Sequence, residues 1–258
     1  MNRVTTAFAN RKAFIVYITA GDPTLDDTAR LLPAIAAAGA DIIEVGVPFS
    51  DPSADGPVIQ RAAERALASG TTLRGVLDML RRTRAQISVP ILLFTYMNPI
   101  VAIGIDAFAS AASAAGVDAV LVVDLPPEEA ADLDAASAAR ALSRVYLVAP
   151  TTPPARIRRI ARASTGFIYF VSMTGITGAN LGGLEPVERG VAQIRKVSLL
   201  PVAVGFGVAT PDEAARVAKT ADGVVVGSAI VRALAEDATR GLSLVRSLAS
   251  AVHRAPSK

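Results

Sequence analysis

Asp41-Ile-Ile-Glu-Val-Gly-Val-Pro-Phe-Ser-Asp-Pro-Ser-Ala-Asp-Gly-Pro57 reads as a short apolar strand, then a loop of turn-forming residues, then a proline suited to the first turn of a helix. From Pro57 to Leu67 apolar residues follow three-to-four spacing, so the stretch is one complete βα unit. The same unit recurs along the chain. Further strand candidates are Phe14–Thr19, Ile91–Thr95, Ala119–Val123, Arg144–Val148, Phe167–Val171, Val202–Val204 and Gly223–Val226, which with Asp41–Val45 makes eight. Their nearly continuous Ile, Val and Leu content predicts strands buried on both faces, as in a parallel sheet covered by helices. Helix-start signals stand at Thr24, Thr72, Pro127 with Glu128 and Glu129, and Pro211 with Asp212 and Glu213. Eight units in 258 residues without a Ser/Gly-rich linker predict an α/β fold, a closed (β/α)8 TIM barrel forming a single domain over 1–258. A short N-terminal helix precedes the first strand. A doubly wound sheet would carry a Gly-rich fingerprint after that strand, and Thr19-Ala-Gly-Asp-Pro is not one.

Composition narrows the function. With 52% hydrophobic and 19% charged residues the chain is well cored. Its 26 basic and 23 acidic residues nearly cancel and are scattered, which argues against a nucleic-acid partner. Apolar runs are cut short well before bilayer length, so no membrane partner is expected. The start lacks the pattern of a signal peptide, and a cytoplasmic location is the expectation. There is no cysteine, and the single histidine, His253, reads as a solvated helix end. None of the four lysines ends a strand, which removes a Schiff-base nucleophile. No histidine pair is available for zinc, so no metal site is expected.

In such a barrel the chemistry gathers at the C-terminal ends of the strands. Three Gly-rich stretches follow late strands there: Thr174-Gly-Ile-Thr-Gly-Ala-Asn, Gly205-Phe-Gly-Val and Gly227-Ser-Ala. Glycine lets backbone N–H groups approach an anion, and a helix starting at Ser228 adds its dipole. Gly178, Gly207, Gly227 and Ser228 are therefore the candidate phosphate contacts. Glu44 lies within an apolar strand, where an acid is costly unless it has a task or a partner. Desolvation there raises its pKa toward neutrality and suits it to proton exchange. A buried salt bridge with an arginine is the structural alternative. Either Asp51 or Asp55 is placed to meet Glu44 over the barrel mouth, and either can instead cap a turn. Tyr169 either joins these groups or fills the core.

Tyr17-Ile-Thr-Ala-Gly-Asp-Pro, Glu44-Val-Gly-Val-Pro-Phe-Ser-Asp-Pro-Ser-Ala-Asp-Gly-Pro, Asp124-Leu-Pro, Gly175-Ile-Thr-Gly and Gly205-Phe-Gly-Val, in this order, resemble the tryptophan synthase α subunit family. The resemblance runs from about residue 8 to residue 250. It implies a barrel that cleaves indole-3-glycerol phosphate to indole and glyceraldehyde 3-phosphate, with no cofactor of its own. By resemblance Glu44 is the acid/base carboxylate and Asp55 engages the indole N–H. Tyr17, Ile59, Phe94 and Leu121 line the indole pocket, Tyr169 and Thr177 lie beside the substrate, and Gly178, Gly207, Gly227 and Ser228 hold the phosphate.

The family implies a PLP-dependent tryptophan synthase β subunit as partner, in an α2β2 tetramer. The loop Met97–Gly104 and the turn Leu125-Pro-Pro are more apolar than exposed loops usually are, which fits a docking surface. Positions matching the family's docking contacts include Pro48, Asp51 and Pro126. One departure is Met173, which stands where many members carry a basic side chain. The competing reading is a stand-alone indole-3-glycerol phosphate lyase with the same chemistry and no obligate partner.

Overall fold

The computed structural model describes residues 2–171, 184–205 and 207–256. Its strands are β1 (Ala13–Thr19), β2 (Ile42–Gly46), β3 (Ile91–Thr95), β4 (Ala119–Val122), β5 (Ser143–Arg144), β6 (Tyr146–Val148), β7 (Ile168–Val171), β8 (Val202–Gly205) and β9 (Gly223–Val226). Every pairing is parallel, in the order β5-β4-β3-β2-β1-β9-β8-β7-β6. The two ends of that order are consecutive in the chain. β5 pairs with β4 and β6 with β7, while Val145 between them donates its N–H to the Val120 carbonyl at 3.1 Å. The sequence predicts one strand over Arg144–Val148, and its two pieces fill one position, so nine strands make an eight-position barrel.

The helices are α1 (Arg3–Thr6), α2 (Leu25–Ala37), α3 (Pro57–Ala68), α4 (Leu73–Thr83), α5 (Met97–Ile103), α6 (Ile105–Ala114), α7 (Ala131–Ala138), α8 (Pro154–Ala163), α9 (Glu185–Arg195), α10 (Pro211–Thr220), α11 (Ser228–Glu236) and α12 (Ala238–His253). Thr24 and Thr72 cap α2 and α4, and Thr210 with Glu213 forms a capping box on α10. No single helix among the described residues is long and apolar enough to cross a membrane.

The strands are apolar on both faces, yet they alternate. Ile15, Ile42, Leu92, Leu121, Tyr169 and Val225 fill the barrel interior. Their neighbours Val16, Ile43, Leu93, Val120, Phe170 and Val224 pack outward against the helices. Glu44 keeps this alternation two residues beyond Ile42, opposite Tyr17 in the register, so its side chain belongs to the inner set near the C-terminal end of β2.

At the opposite end of the barrel one device appears three times. Asp41, Asp118 and Asp222 each immediately precede a strand and accept the first free N–H of its neighbour: Phe14 at 2.8 Å, Ile91 at 2.8 Å and Val202 at 3.0 Å. Each also binds an arginine, respectively Arg11, Arg84 and Arg195. A charged acceptor thus satisfies a donor that the parallel ladder leaves open.

Four expectations are corrected. His253 is not a solvated helix end, because its Nε2 lies 2.7 Å from Asp41 Oδ2 with the ring largely buried where α12 folds back under the barrel. The signal at Pro127 opens no helix: Glu129 donates its N–H to the Pro126 carbonyl in a turn, and α7 starts at Ala131. Met97–Gly104 is not a loop but α5 with its end at Gly104. Pro99 sits in its first turn, where a missing N–H costs nothing, and Asp124 Oδ1 accepts the Met97 N–H at 2.8 Å. Leu125 is buried and not an exposed rim residue.

Candidate active site

The C-terminal ends of the strands surround a cavity of about 740 Å3. Two glycines make room for its inner wall. A Cβ on Gly46 would meet the Tyr17 hydroxyl at 2.2 Å, and one on Gly205 would meet the Tyr169 hydroxyl at 2.9 Å, so both phenols lie across bare backbone.

Glu44 opens into this cavity from β2 with 1% of its surface exposed. Neither carboxyl oxygen has a hydrogen-bond partner among the described residues, and no arginine pairs with it there. The salt-bridge alternative is therefore not realised among the described residues. Burial lifts its pKa to about 8, helped by the charge of Asp55. Burial, together with nearby carboxylates, also pushes Tyr17 and Tyr169 well above the usual phenol range, so both remain protonated.

Of the two loop carboxylates only Asp55 reaches the cavity. Its Oδ2 accepts the Tyr96 hydroxyl at 3.1 Å, while the exposed Asp51 accepts from the neighbouring Ser50 hydroxyl at 2.6 Å. Burial raises Asp55 to about 6, against the lowering effect of the Tyr96 bond. One cavity thus holds a carboxyl that is protonated at pH 7 and a carboxylate that is ionised.

The walls between are apolar. Tyr17 meets Phe94 edge to face at 5.5 Å, and Ile59 from α3 closes the same side. Leu147, Val171 and Val225, which the sequence reading does not single out, extend the lining together with Val123 and Val208. Leu121 is fully buried in the barrel interior and does not reach the cavity wall.

The far end of the cavity suits an anion. Gly207 has φ +56°, and no described residue stands within 4 Å of where its Cβ would be, so among the described residues its backbone is uncovered. Gly227 precedes α11, and Ser228 is the first residue of that nine-residue helix. Arg232, one turn further along α11, lines the same cavity and makes no ion pair with the described residues. Its signal was available in the sequence as the i,i+4 neighbour of Ser228, since helical side chains lean toward the N-terminus. Thr177, Gly178 and Met173 lie outside the described residues.

A second hollow of about 430 Å3 lies at the other end of the barrel. Its cations are engaged: Arg11 with Asp41, Arg195 with Asp222, and Lys12 with the Ala221 carbonyl. Its lining carboxyl, Asp222, is committed to Arg195 and the Val202 N–H, whereas Glu44 stands unpartnered among the described residues, so the acid/base chemistry belongs to the larger cavity.

Comparison with known proteins agrees with this geometry. A family model described as tryptophan synthase alpha chain matches residues 5–255. A tryptophan synthase alpha chain from Geobacter sulfurreducens is 55% identical over 237 residues, covering 90% of each chain. One from Phenylobacterium zucineum is 51% identical over 253 residues, covering 95% of this chain and 91% of its own. Among solved structures, tryptophan synthase from Mycobacterium tuberculosis superposes with a TM-score of 0.92 at 39% identity over 98% of each chain. The alpha subunit from Legionella pneumophila does so with a TM-score of 0.90 at 38% identity, again over 98% of each.

Proposed function

The chain belongs to the tryptophan synthase alpha chain family, lyases that cleave indole-3-glycerol phosphate in tryptophan biosynthesis, and we propose that Glu44 and Asp55 carry this cleavage from opposite protonation states. The observation behind the proposal is the pair itself. Two carboxyls share one cavity, one pushed to about 8 with no hydrogen-bond partner among the described residues, the other raised by burial only to about 6 and hydrogen-bonded by a phenol.

In this reading Glu44 starts as the acid and delivers its proton to C3 of the indole ring. Positive charge then develops at N1, whose N–H the Asp55 carboxylate accepts. The Glu44 carboxylate next takes the proton of the C3′ hydroxyl. The C3–C3′ bond breaks, its electron pair returns to the ring to give indole, and C3′ becomes the aldehyde carbon of glyceraldehyde 3-phosphate. Glu44 ends as it began, so the cycle balances with no cofactor. Ile59, Phe94 and Leu147 offer the ring its apolar wall, and the two phenols flank the reacting carbons. Gly207, Gly227, Ser228 and Arg232 take the phosphate, joined on the family pattern by Gly178, with Thr177 beside the substrate.

This mechanism predicts a bell-shaped pH profile for kcat/KM. Activity is lost as pH falls through about 6, where Asp55 protonates, and as it rises through about 8, where Glu44 ionises. A profile flat through both values would refute the assignment.

As an alpha chain the protein has a beta-subunit partner. We further propose an α2β2 tetramer in the cytoplasm, built on one barrel domain over 1–258. The partner would dock over α5, where Val101 is 59% exposed, and beside Asp51 and Pro126. Direct transfer would then keep apolar indole from escaping.

A further inference from the structure

We propose that Tyr96 is a positioning residue for the cleavage: its hydroxyl fixes where the Asp55 carboxylate points and which charge it carries. The inference rests on the site reading above and extends it to a side chain that no family motif on the page marks.

Tyr96 follows β3 directly and precedes the first residue of α5. It is 1% exposed, and Phe49 from the loop after β2 lies against its ring with centroids 5.0 Å apart and planes 32° apart. Its hydroxyl makes two bonds to that loop, at successive residues. It accepts the Ala54 N–H at 3.0 Å and faces Asp55 Oδ2 at 3.1 Å. A phenol has one proton to give. With Ala54 donating to the oxygen, that proton is directed at Asp55, so the bond has a fixed polarity that favours the ionised carboxylate. The same contacts tie the loop to the end of β3, so Asp55 is aimed by the barrel and not by its loop alone. Without that tether, only backbone groups of Asp55 would be held, its N–H donating to the Pro52 carbonyl at 3.0 Å and its carbonyl accepting from the Gln60 side chain at 2.8 Å, with the carboxyl free of any bond from the described residues.

The charged and titratable groups around Asp55 come from several elements. Glu44 on β2 and Tyr17 on β1 interact with it across the cavity, Asp124 after β4 acts on Tyr96, and Arg232 on α11 lines the opposite end. Among the described residues Tyr96 alone donates a hydrogen bond to the Asp55 carboxyl. Burial and the neighbouring carboxylates raise the Tyr96 phenol above its ordinary range, so it remains a donor throughout the working pH.

The test is the pH profile of kcat/KM for Tyr96→Phe in the full chain. Loss of one hydrogen bond to a charged group should move the acid limb up by about one pH unit, costing about tenfold in activity near that limb. The alkaline limb, set by Glu44, should stay in place. Placing 3-fluorotyrosine at position 96 keeps the ring packing, sharpens the donor and should move the same limb down. This second variant covers the case in which Tyr96→Phe does not fold. Added to Asp55→Asn, Tyr96→Phe should cause no further loss, because both act through one carboxylate. A Tyr96→Phe enzyme with lowered kcat and both limbs unmoved, or a fluorinated enzyme with an unmoved acid limb, would overturn the inference and leave Tyr96 a packing residue. Full activity in Asp55→Asn would instead overturn the site reading beneath it.

Discussion

Glu44→Gln exchanges a titrating carboxyl for a neutral amide of nearly the same shape, and the pH dependence of its effect on stability follows from burial, with the Asp55 charge adding to it. In the unfolded chain the carboxyl returns to 4.5, while in the barrel it sits at about 8. Between those values the folded chain holds one proton more than the unfolded chain, so stability falls as pH rises. The slope is about 1.4 kcal/mol per pH unit, which amounts to about 3 kcal/mol by pH 7. The glutamine variant carries no such penalty. Its unpartnered amide carries a desolvation cost, but that cost does not change with pH. The measurable quantity is therefore the difference between the two proteins. Urea unfolding midpoints of the isolated chains, taken across this range at constant ionic strength, should show the variant gaining on the parent from about pH 5 and levelling off above about 8. A difference independent of pH would show that Glu44 titrates at its ordinary value, and the argument for a protonated acid at rest would fail.

Two further outcomes test other parts of the structure. Arg232→Gln should raise KM by about tenfold with kcat nearly unchanged and weaken the salt dependence of kcat/KM, since it removes a cation that binds without entering the chemistry. An unchanged KM would remove Arg232 from the anion end. Gly190→Ala should lower Tm by roughly 3–8 °C without changing kcat, because its Cβ would stand 2.2 Å from Phe170 Cζ where α9 lies on β7. A Tm equal to that of the parent would contradict that close approach.

Much of this architecture is legible in the sequence because parallel strands buried on both faces leave compact runs of Ile, Val and Leu between amphipathic helices. The same property hides which residues face inward. Ile43 and Glu44 differ in chemistry, but Ile42 and Ile43 do not, and only the register assigns them to opposite faces. Asp51 and Asp55 both sit in a loop of turn-forming residues, and what separates them is the position of Tyr96, a residue forty-one places further along the chain than Asp55. No local pattern carries that information. His253 reads as solvated for a related reason, since its partner Asp41 is distant in sequence and meets it only once α12 closes under the barrel. Two other signals stand in the sequence itself. Asp41, Asp118 and Asp222 repeat the same residue type directly before a strand, and Arg232 shares a helix face with Ser228. The opening of α5 at Met97 was obscured by Asn98-Pro99, which reads as a turn until Asp124 is seen to cap it.

The central claim, that Glu44 is the proton carrier of the cleavage, is tested most directly by the rate of indole release from indole-3-glycerol phosphate by Glu44→Gln under single-turnover conditions near neutral pH. The account predicts a loss of at least ~10² relative to the parent, with glycerol phosphate still bound, because the amide can neither deliver the proton to C3 nor take one from the hydroxyl. Indole release at nearly the parental rate would contradict it and make Glu44 a structural residue.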